Sequence, residues 1–323
     1  MNKWQPHVLG LVAPAMTLAS LLAGSWWMGL TIFTVLLVYP LIELIAGKST
    51  STNPLQEGRA HNIILHLHGL LVPILVVTLL WRVSIDGLNG FVWLGVISTG
   101  LSTGGSGIVA AHELGHRRLR STSWWLARLD LFSVLYLHFT VEHNHTHHRH
   151  WARPVDPTSS PWGRNLYFHV LRTVPLQIRG AWKARPKDTG RSLALEATFL
   201  LCLGVYSPVL CLAFVSQAAV AIFLVEYVNY LQHHGLQRGA DERPNATHAW
   251  ESRHRWSRWT LLELPLHPSH HLKASTPYHR LDVHDEAPQL PFGYYVMFWA
   301  ALLPPLFTSL MRKSAQTSAS AES

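Results

Sequence analysis

Histidine is the residue type with which this sequence could do chemistry. The chain has 22 His among 323 residues, and many of them stand close together. Neutral imidazole is the commonest metal ligand in proteins, so clustered histidines predict a metal site. The clusters are HELGH at 112–116, EHNHTHH at 142–148 and HPSHH at 267–271, with a pair, HH, at 233–234.

The spacing of these histidines indicates two metal ions. Residues four apart lie on one face of an α-helix, so the pairs 112/116, 143/147 and 267/271 could each converge on one ion. Adjacent helical residues point about 100° apart. His147 and His148 should therefore bind different ions, and the same holds for His270 and His271.

A zinc site is the main alternative for the first cluster. His112, Glu113 and His116 match the His-Glu-x-x-His pattern of zinc metalloproteases, in which the glutamate is the general base. A catalytic zinc needs three protein ligands, which leaves most of the histidines unexplained. Imidazole binds Zn, Cu, Fe and Ni alike, so the ligand type does not choose the metal. A metal-binding membrane protein without enzymatic activity is a further alternative.

The elements that must position these clusters are membrane helices. Apolar residues make up 48% of the chain and charged residues 14%, against roughly 25% charged in a soluble domain. A membrane-spanning helix needs about 20 mostly apolar residues. We therefore predict an all-α integral membrane protein with six transmembrane helices and a His-rich di-metal cap. The spans are residues 8–25, 27–47, 63–82, 91–111 and two helices within 194–232, separated at Tyr206-Ser207-Pro208.

The charge distribution predicts the orientation of this chain. Segments that lie in the cytoplasm are rich in Lys and Arg. With the N-terminus in the cytoplasm, all of the 26 Lys and Arg residues except Arg82 fall on the cytoplasmic side. Both termini and all four histidine groups are then cytoplasmic. The basic residues form no nucleic-acid-binding motif, so the net charge of +8 does not indicate a nucleic acid partner.

The spans divide the chain into five parts. We expect a disordered tail at the end, a surface helix at 165–182, and an interfacial or re-entrant piece at 292–311, where Pro304-Pro305 interrupts an apolar run. The glycine-rich run 100–107 indicates close helix packing, or else a substrate tunnel. Cys202 and Cys211 lie in an apolar run and predict no disulfide. The parts are 1–111 (four helices), 112–192 (cytoplasmic His-cluster loop), 193–232 (hairpin), 233–311 (cytoplasmic His-cluster region) and 312–323 (tail).

These motifs together resemble a known family. The chain is similar to the integral-membrane, histidine-rich di-iron oxygenases and desaturases, and most of all to the alkane 1-monooxygenases and xylene monooxygenases. It departs from their pattern at Thr146, at His234 and at Pro268-Ser269, which leaves the substrate open. The matching strings are HELGHRR at 112–118, EHNHTHH at 142–148, PVDP at 154–157, NYLQHHGL at 229–236 and LPLHPSHH at 264–271.

The resemblance implies a site and a reaction. It implies two non-haem irons that activate O2, so that one oxygen atom enters a hydrophobic substrate and the other leaves as water. Carboxylates from Glu113, Glu142 and Asp156 could orient the imidazoles, or could instead pair with nearby arginines. The resemblance leaves open the roles of His138, His145, His150 and His234. The implied iron ligands are His112, His116, His143, His147, His148, His233, His267, His270 and His271.

The resemblance also implies a setting for the reaction. It implies the bacterial inner membrane, contact with membrane lipid, and electrons from a rubredoxin or a ferredoxin-type donor with its NAD(P)H reductase. No flavin or iron–sulfur motif occurs in this chain, so electrons must come from outside. The expected reaction is hydroxylation of a terminal or benzylic methyl group of a hydrocarbon. Desaturation or hydroxylation of a lipid acyl chain is the alternative within the same superfamily.

Overall fold

The chain folds into helices joined by short loops. The computed structural model describes residues 4–52 and 58–321, and within those residues the only β-structure is two isolated bridges, Lys48 with His254 and Glu251 with Gln289. The helices are α1 (Gln5–Ala23), α2 (Ser25–Ala46), α3 (Arg59–Asp86), α4 (Gly90–Gly115), α5 (Thr122–Ser133), α6 (in three pieces, Phe139–Glu142, His143–His147 and His148–His150), α7 (Leu166–Ala184), α8 (Pro186–Tyr206), α9 (Pro208–His233), α10 (Arg255–Thr260), α11 (His267–Leu272), α12 (Tyr294–Ala301) and α13 (Pro304–Ala321).

Among the described residues, five helices are long and apolar enough to cross a membrane, namely α1, α2, α3, α4 and α9. The central one is α4, whose most apolar window is 83% buried, against 22% for α2. Helices α1, α3 and α9 all pack closely against α4, because small residues in α4 let the helix backbones approach. The other four helices keep apolar side chains on the outside, as expected for helices that face lipid.

The predicted fifth span corresponds to α8, which forms a hairpin with α9, the predicted sixth. The break falls at Ser207-Pro208, as predicted: the Ser207 hydroxyl accepts a hydrogen bond from the backbone N–H of Leu210, and Pro208 takes the first helical position. The first turns of α8 carry Lys187, Asp188 and Arg191. These charges lower its hydropathy, so that α8 is not among the five apolar helices.

The surface helix expected at 165–182 is observed as α7. Its buried face repeats every three or four residues and includes His169, Thr173 and Gln177. Its outer face is apolar, with Leu171 and Trp182 at least half exposed. An apolar outer face beside basic residues is typical of a helix that lies in the membrane interface.

The C-terminal apolar run is divided, because α12 ends before the two prolines with which α13 begins. Eight helical residues span about 12 Å, too little to cross a hydrocarbon core of about 30 Å. The structure differs from the sequence prediction for residues 312–323. The expected disordered tail continues α13 as helix through Ala321, where alanines alternate with polar residues, and the last two residues lie outside the described part.

Buried polar contacts tie the segments that follow α9 to the membrane helices. Glu43, near the end of α2, accepts hydrogen bonds from the Ser257 hydroxyl of α10 and from the backbone N–H of Val296 in α12. Gly293 lies against the same carboxylate, where a Cβ atom would clash. These contacts hold α10 and α12 over the ends of the spans, where the histidines lie.

Candidate metal centre

The nine histidines predicted as ligands lie together in two groups. The first group, which we call the five-His group, draws its side chains from α4, α6 and α11. In it the Nε2 atom of His148 lies 2.9 Å from that of His143 and 3.1 Å from that of His270. The members are His112, His116, His143, His148 and His270.

The second group, which we call the four-His group, draws on α6, α9 and α11. Its Nε2 atoms form a chain: His147 to His271 is 3.1 Å, His271 to His267 is 2.8 Å, and His267 to His233 is 3.0 Å. All four side chains are buried. The members are His147, His233, His267 and His271.

The doubled histidines divide between the groups as the spacing predicts. His147 belongs to the four-His group and His148 to the five-His group, and His271 and His270 are separated in the same way. The pairs 112/116 and 267/271 each stay within one group, as residues four apart on an α-helix should.

The structure does not form the third predicted pair, His143 with His147. His143 and His147 fall in different groups, because residues 143–147 form a π-helical turn rather than an α-helical one. A π-helix bonds residue i to residue i+5, which brings His143 beside His148 instead. Such turns occur often at functional sites.

The donor set fits metal ions. Two nitrogens that bind one ion at about 2.1 Å lie about 3 Å apart, which matches the observed separations of the Nε2 atoms. Facing imidazoles can satisfy only some of these nitrogens by hydrogen bonds to each other, since each neutral ring donates once. Burial lowers the pKa of His143, His267, His270 and His271 well below the usual value, so these rings are neutral and available as ligands.

Asp156 orients one of these histidines. Its carboxylate lies 3.0 Å from Nδ1 of His147 and also accepts hydrogen bonds from the hydroxyls of Thr158 and Ser159. Burial alone would raise the pKa of Asp156, but the His147 ring and the hydroxyls hold that pKa at about 2. The carboxylate is therefore ionised at neutral pH, and it fixes the ring with Nε2 directed into the four-His group.

Comparisons with known proteins identify the family of this chain. Residues 89–301 match the family model described as fatty acid desaturase. The chain is 31% identical to alkane 1-monooxygenase 1 of Pseudomonas aeruginosa, over 89% of this chain and 82% of that protein. It is 30% identical to alkane 1-monooxygenase 1 of Alcanivorax borkumensis, over 95% of this chain and 83% of that protein.

The chain belongs to the fatty acid desaturase family, in its alkane 1-monooxygenase and xylene monooxygenase group. The hydroxylase component of xylene/toluene monooxygenase of Pseudomonas putida is 26% identical over 90% of this chain and 82% of that protein. The protein is therefore an oxidoreductase, and the expectation of family and enzyme class from the sequence is confirmed.

The other two carboxylates proposed to orient histidines make different contacts in this family member. Glu113 pairs with Arg117 at 3.1 Å and accepts a hydrogen bond from the backbone N–H of Tyr278. Glu142 is fully buried, and neither of its oxygens meets a hydrogen-bond donor among the described residues. Burial raises the pKa of Glu142 well above its usual value, and the carboxylates of Asp156 and Glu226 raise it further, which favours the neutral acid.

Two aromatic side chains support the groups, and the sequence analysis missed both. The fully buried ring of Trp151 stacks on His271, with ring centroids 4.4 Å apart and planes inclined by 21°. Phe139 stacks on His143 at 4.9 Å and 22°. The only sequence signal is position, since each aromatic residue lies within four residues of a histidine of the second cluster.

The four histidines whose roles were open lie outside both groups. His138 is buried against Tyr136, and His234 is buried against Trp162 and Phe307. His145 is exposed and accepts a long hydrogen bond from Arg185, while His150 is half-buried. None of these four rings belongs to either group of possible metal ligands.

An apolar cavity lies in the helix bundle on the membrane side of the histidines. It has a volume of about 80 Å³ and is bounded by α1, α2, α4, α9 and α12. Val35, Leu224 and Phe298 line it and are half-buried, which places its outer side among lipid-facing helices. Val109, one turn before His112, lines its inner side. An apolar molecule could thus approach the histidines from within the membrane.

Proposed function

We propose that this protein is a membrane-bound, non-haem di-iron monooxygenase that hydroxylates a terminal or benzylic methyl group of a hydrocarbon. The observation that carries the proposal is the division of nine imidazoles into two adjacent groups beside an apolar cavity. The reaction balances as R–CH3 + O2 + 2e⁻ + 2H⁺ → R–CH2OH + H2O. When bound, two irons would supply the activation of O2, and His112, His116, His143, His148 and His270 would hold one, with His147, His233, His267 and His271 holding the other.

The residues of this chain contribute to the reaction mainly by placement. Asp156 keeps His147 in one tautomer, with Nδ1–H directed to the carboxylate and Nε2 free to bind. Trp151 and Phe139 restrict the rotation of His271 and His143. Glu142, whose pKa is raised by burial and by the nearby Asp156, would hold a proton close to the carboxylate that orients His147. The apolar cavity would receive the hydrocarbon.

The proposed topology has six spans with both termini in the cytoplasm. Both α4 and α9 end at the histidine groups, so these two ends must lie on the same side of the membrane. An even number of crossings then separates His116 from His233, which requires α8 to cross in the direction opposite to α9. The 21 residues of α8 are long enough for this, at about 1.5 Å per residue. The excess of Lys and Arg at the histidine end supports a cytoplasmic location in the bacterial inner membrane.

The proposed electron source is a separate protein, either rubredoxin or a ferredoxin-type donor with its NAD(P)H reductase. Exposed arginines surround the histidine end of the molecule, among them Arg118, Arg120 and Arg149. A basic surface speeds association with an acidic carrier. The first relatives are named for alkanes and another for xylene, so both substrate types belong in the test.

The test combines metal analysis with product analysis. The purified protein, in lipid nanodiscs with NADH and a reconstituted electron chain, is supplied with octane, p-xylene or a fatty acyl substrate. We expect two irons per chain and 1-octanol or a methylbenzyl alcohol as product. An unsaturated lipid product would indicate the desaturase alternative. One zinc per chain with no oxygen-dependent product would contradict the proposal.

A matched pair of variants connects the activity to the histidine groups. His147→Ala removes a member of the four-His group, and His145→Ala removes an exposed ring from the same helical turn that belongs to neither group. We expect His147→Ala to lose iron and turnover, and His145→Ala to keep both. Equal activity in the two variants would contradict the role of His147.

A further inference from the structure

Tyr136 differs from the other tyrosines of the described chain because its hydroxyl group bonds a carboxylate. It lies fully buried between α5 and α6, and its hydroxyl donates to Oε1 of Glu226 in α9. The Oε1 atom of Gln177 in α7 lies 2.7 Å from the same hydroxyl, and the Gln177 amide donates to Glu226 at 3.0 Å. Every other tyrosine hydroxyl that forms a hydrogen bond among the described residues meets a carbonyl, amide or hydroxyl group, as that of Tyr278 meets the carbonyl of His61.

The Glu226 carboxylate is placed to take the proton of this phenol. It is fully buried, and the amide groups of Gln177 and Asn229 also donate to it. Three donors directed at one carboxylate are the pattern of the ionised form, which can only accept. Burial and the Glu226 charge raise the pKa of the Tyr136 phenol well above its usual value, so the phenol keeps its proton at rest. The pair therefore holds one proton that can move directly between two oxygens.

Stacked rings connect Tyr136 to the five-His group. Its ring centroid lies 5.7 Å from that of Phe139 with the planes inclined by 23°, and Phe139 stacks on His143 at 4.9 Å and 22°. Tyrosine is among the side chains that lose a single electron most readily, provided that the phenol proton can leave at the same time. Close stacked rings shorten the distance over which that electron must tunnel. Tyr136 is thus placed to pass an electron toward the metal that His143 would hold.

We propose that Tyr136 is a redox-active residue that gives one electron to the oxidised metal centre when O2 has been activated without a bound hydrocarbon. This inference rests on the proposed function, which supplies the oxidant. The step balances as Tyr–OH + Glu–COO⁻ → Tyr–O• + Glu–COOH + e⁻, and the electron lowers the oxidation state of one metal ion by one. Because the proton moves to Glu226, both groups end neutral, which a buried site favours. One electron from the external donor protein, with the proton held by Glu226, then restores the phenol.

The position of the pair suits this task. The ring contacts of Tyr136 among the described residues are with His138 and Phe139, and neither of these belongs to the histidine groups. Tyr136 can therefore lose an electron without any change in a ligand. Without such a donor, an oxidant left at the histidine groups would attack the rings nearest to it, His143 and Phe139 among them.

The first test looks for the radical itself. Reduced, iron-loaded protein in nanodiscs is mixed with O2 without hydrocarbon, frozen, and examined by electron paramagnetic resonance, with ordinary and with ring-deuterated tyrosine. We expect a tyrosyl signal that narrows on deuteration, decreases when octane is present, and is lost in Tyr136→Phe. Tyr278→Phe is the matched control and should keep the signal, because the buried Tyr278 hydroxyl bonds a carbonyl, which cannot take its proton. A signal that persists in Tyr136→Phe would overturn the inference.

The second variant tests the movement of the proton. Glu226→Gln keeps the size of the side chain and can still accept a hydrogen bond from the phenol, but an amide does not take the proton. We expect the iron content of this variant to equal that of wild type and its tyrosyl signal to be lost. A signal of wild-type size in Glu226→Gln would overturn the pairing of electron and proton transfer.

The last measurement asks whether the electron protects the site. After repeated exposure to O2 without hydrocarbon, mass spectrometry of peptides should find more oxidised His143 and Phe139 in Tyr136→Phe than in Tyr278→Phe. The initial rate with octane should be the same in both variants. Protein that hydroxylates octane but shows neither a tyrosyl signal nor this added damage would overturn the inference alone. Protein that binds iron but consumes no O2 would instead contradict the proposed function.

Discussion

The five-His and four-His groups are made of the same residue type but lie in different surroundings. In the four-His group every ring is buried, Asp156 holds one ring and Trp151 stacks on another. In the five-His group His116 and His148 are partly exposed. Among the described residues, no carboxylate lies within 4 Å of a ring nitrogen of the five-His group. Each group thus has one stacked aromatic ring, Trp151 on His271 and Phe139 on His143, but the carboxylate contact belongs to the four-His group.

This difference shows how a chain can hold two ions with unequal ligand numbers. Five imidazoles fix an ion by number, even where two of the residues are partly exposed. Four imidazoles leave more of the coordination sphere to other ligands, so the rings themselves must be held by neighbours. We therefore expect substitutions of the surrounding residues to affect the four-His group more than the five-His group.

The largest expected effect comes from two adjacent residues. His147→Ala should empty the four-His site and His148→Ala the five-His site, and each should reduce turnover below detection. Metal analysis should find one ion per chain in each variant, and a spectroscopic probe of the remaining metal should differ between them. Identical spectra would contradict the assignment of neighbouring histidines to different ions.

The sequence predicted the nine residues that meet here, but not every way in which they pair. The pairs 112/116 and 267/271 follow from the α-helical repeat. The π-helical turn at 143–147 has no sequence signal, and it separates His143 from His147. The topology predicted that the ends of α4, α6, α9 and α11 lie on the same side of the membrane. The distances of about 3 Å between side chains far apart in the sequence could not be predicted, because they depend on the packing of the helices. The helical tail shows that polar composition alone does not predict disorder.

The next largest effect concerns Trp151. Replacing a fully buried tryptophan by alanine costs about 3–5 kcal/mol of stability. Trp151→Ala should therefore lower the unfolding temperature and loosen His271, with loss of metal from the four-His site first. Trp151→Phe keeps an aromatic ring against His271 and should recover most of the metal. Thermal unfolding followed by metal analysis checks both variants. Loss of metal from the five-His site alone would contradict the expectation that Trp151 supports the four-His group.

Asp156→Asn should have a smaller and more specific effect. Asparagine keeps the size of the side chain but removes the charge that fixes the His147 tautomer. Loss of such a partner lowers metal affinity by about 10- to 100-fold. Competition with a chelator should show weaker binding at the four-His site and unchanged binding at the five-His site. A uniform loss at both sites would indicate a general effect on folding.

The same carboxylate predicts a pH dependence. The pKa of Asp156 is lowered to about 2, so its contribution to stability is complete above the usual aspartate pKa and is lost as the pH falls toward 2. The difference in stability between wild type and Asp156→Asn should shrink as the pH falls below about 4. Chemical unfolding of metal-free protein at pH values from 6 down to 3 measures the difference, and a difference already lost at pH 5 would contradict the low pKa.

The smallest effect is expected for Glu113→Gln, although Glu113 follows His112 directly. The Glu113 side chain contacts Arg117 and the N–H of Tyr278, and no histidine of either group. Glutamine can still accept both hydrogen bonds, and the partly exposed ion pair contributes at most about 1 kcal/mol. We expect a small loss of thermal stability with metal content and turnover near wild type. A loss of turnover as large as that of Asp156→Asn would show that the five-His group depends on a carboxylate after all, and the contrast between the two groups would then disappear.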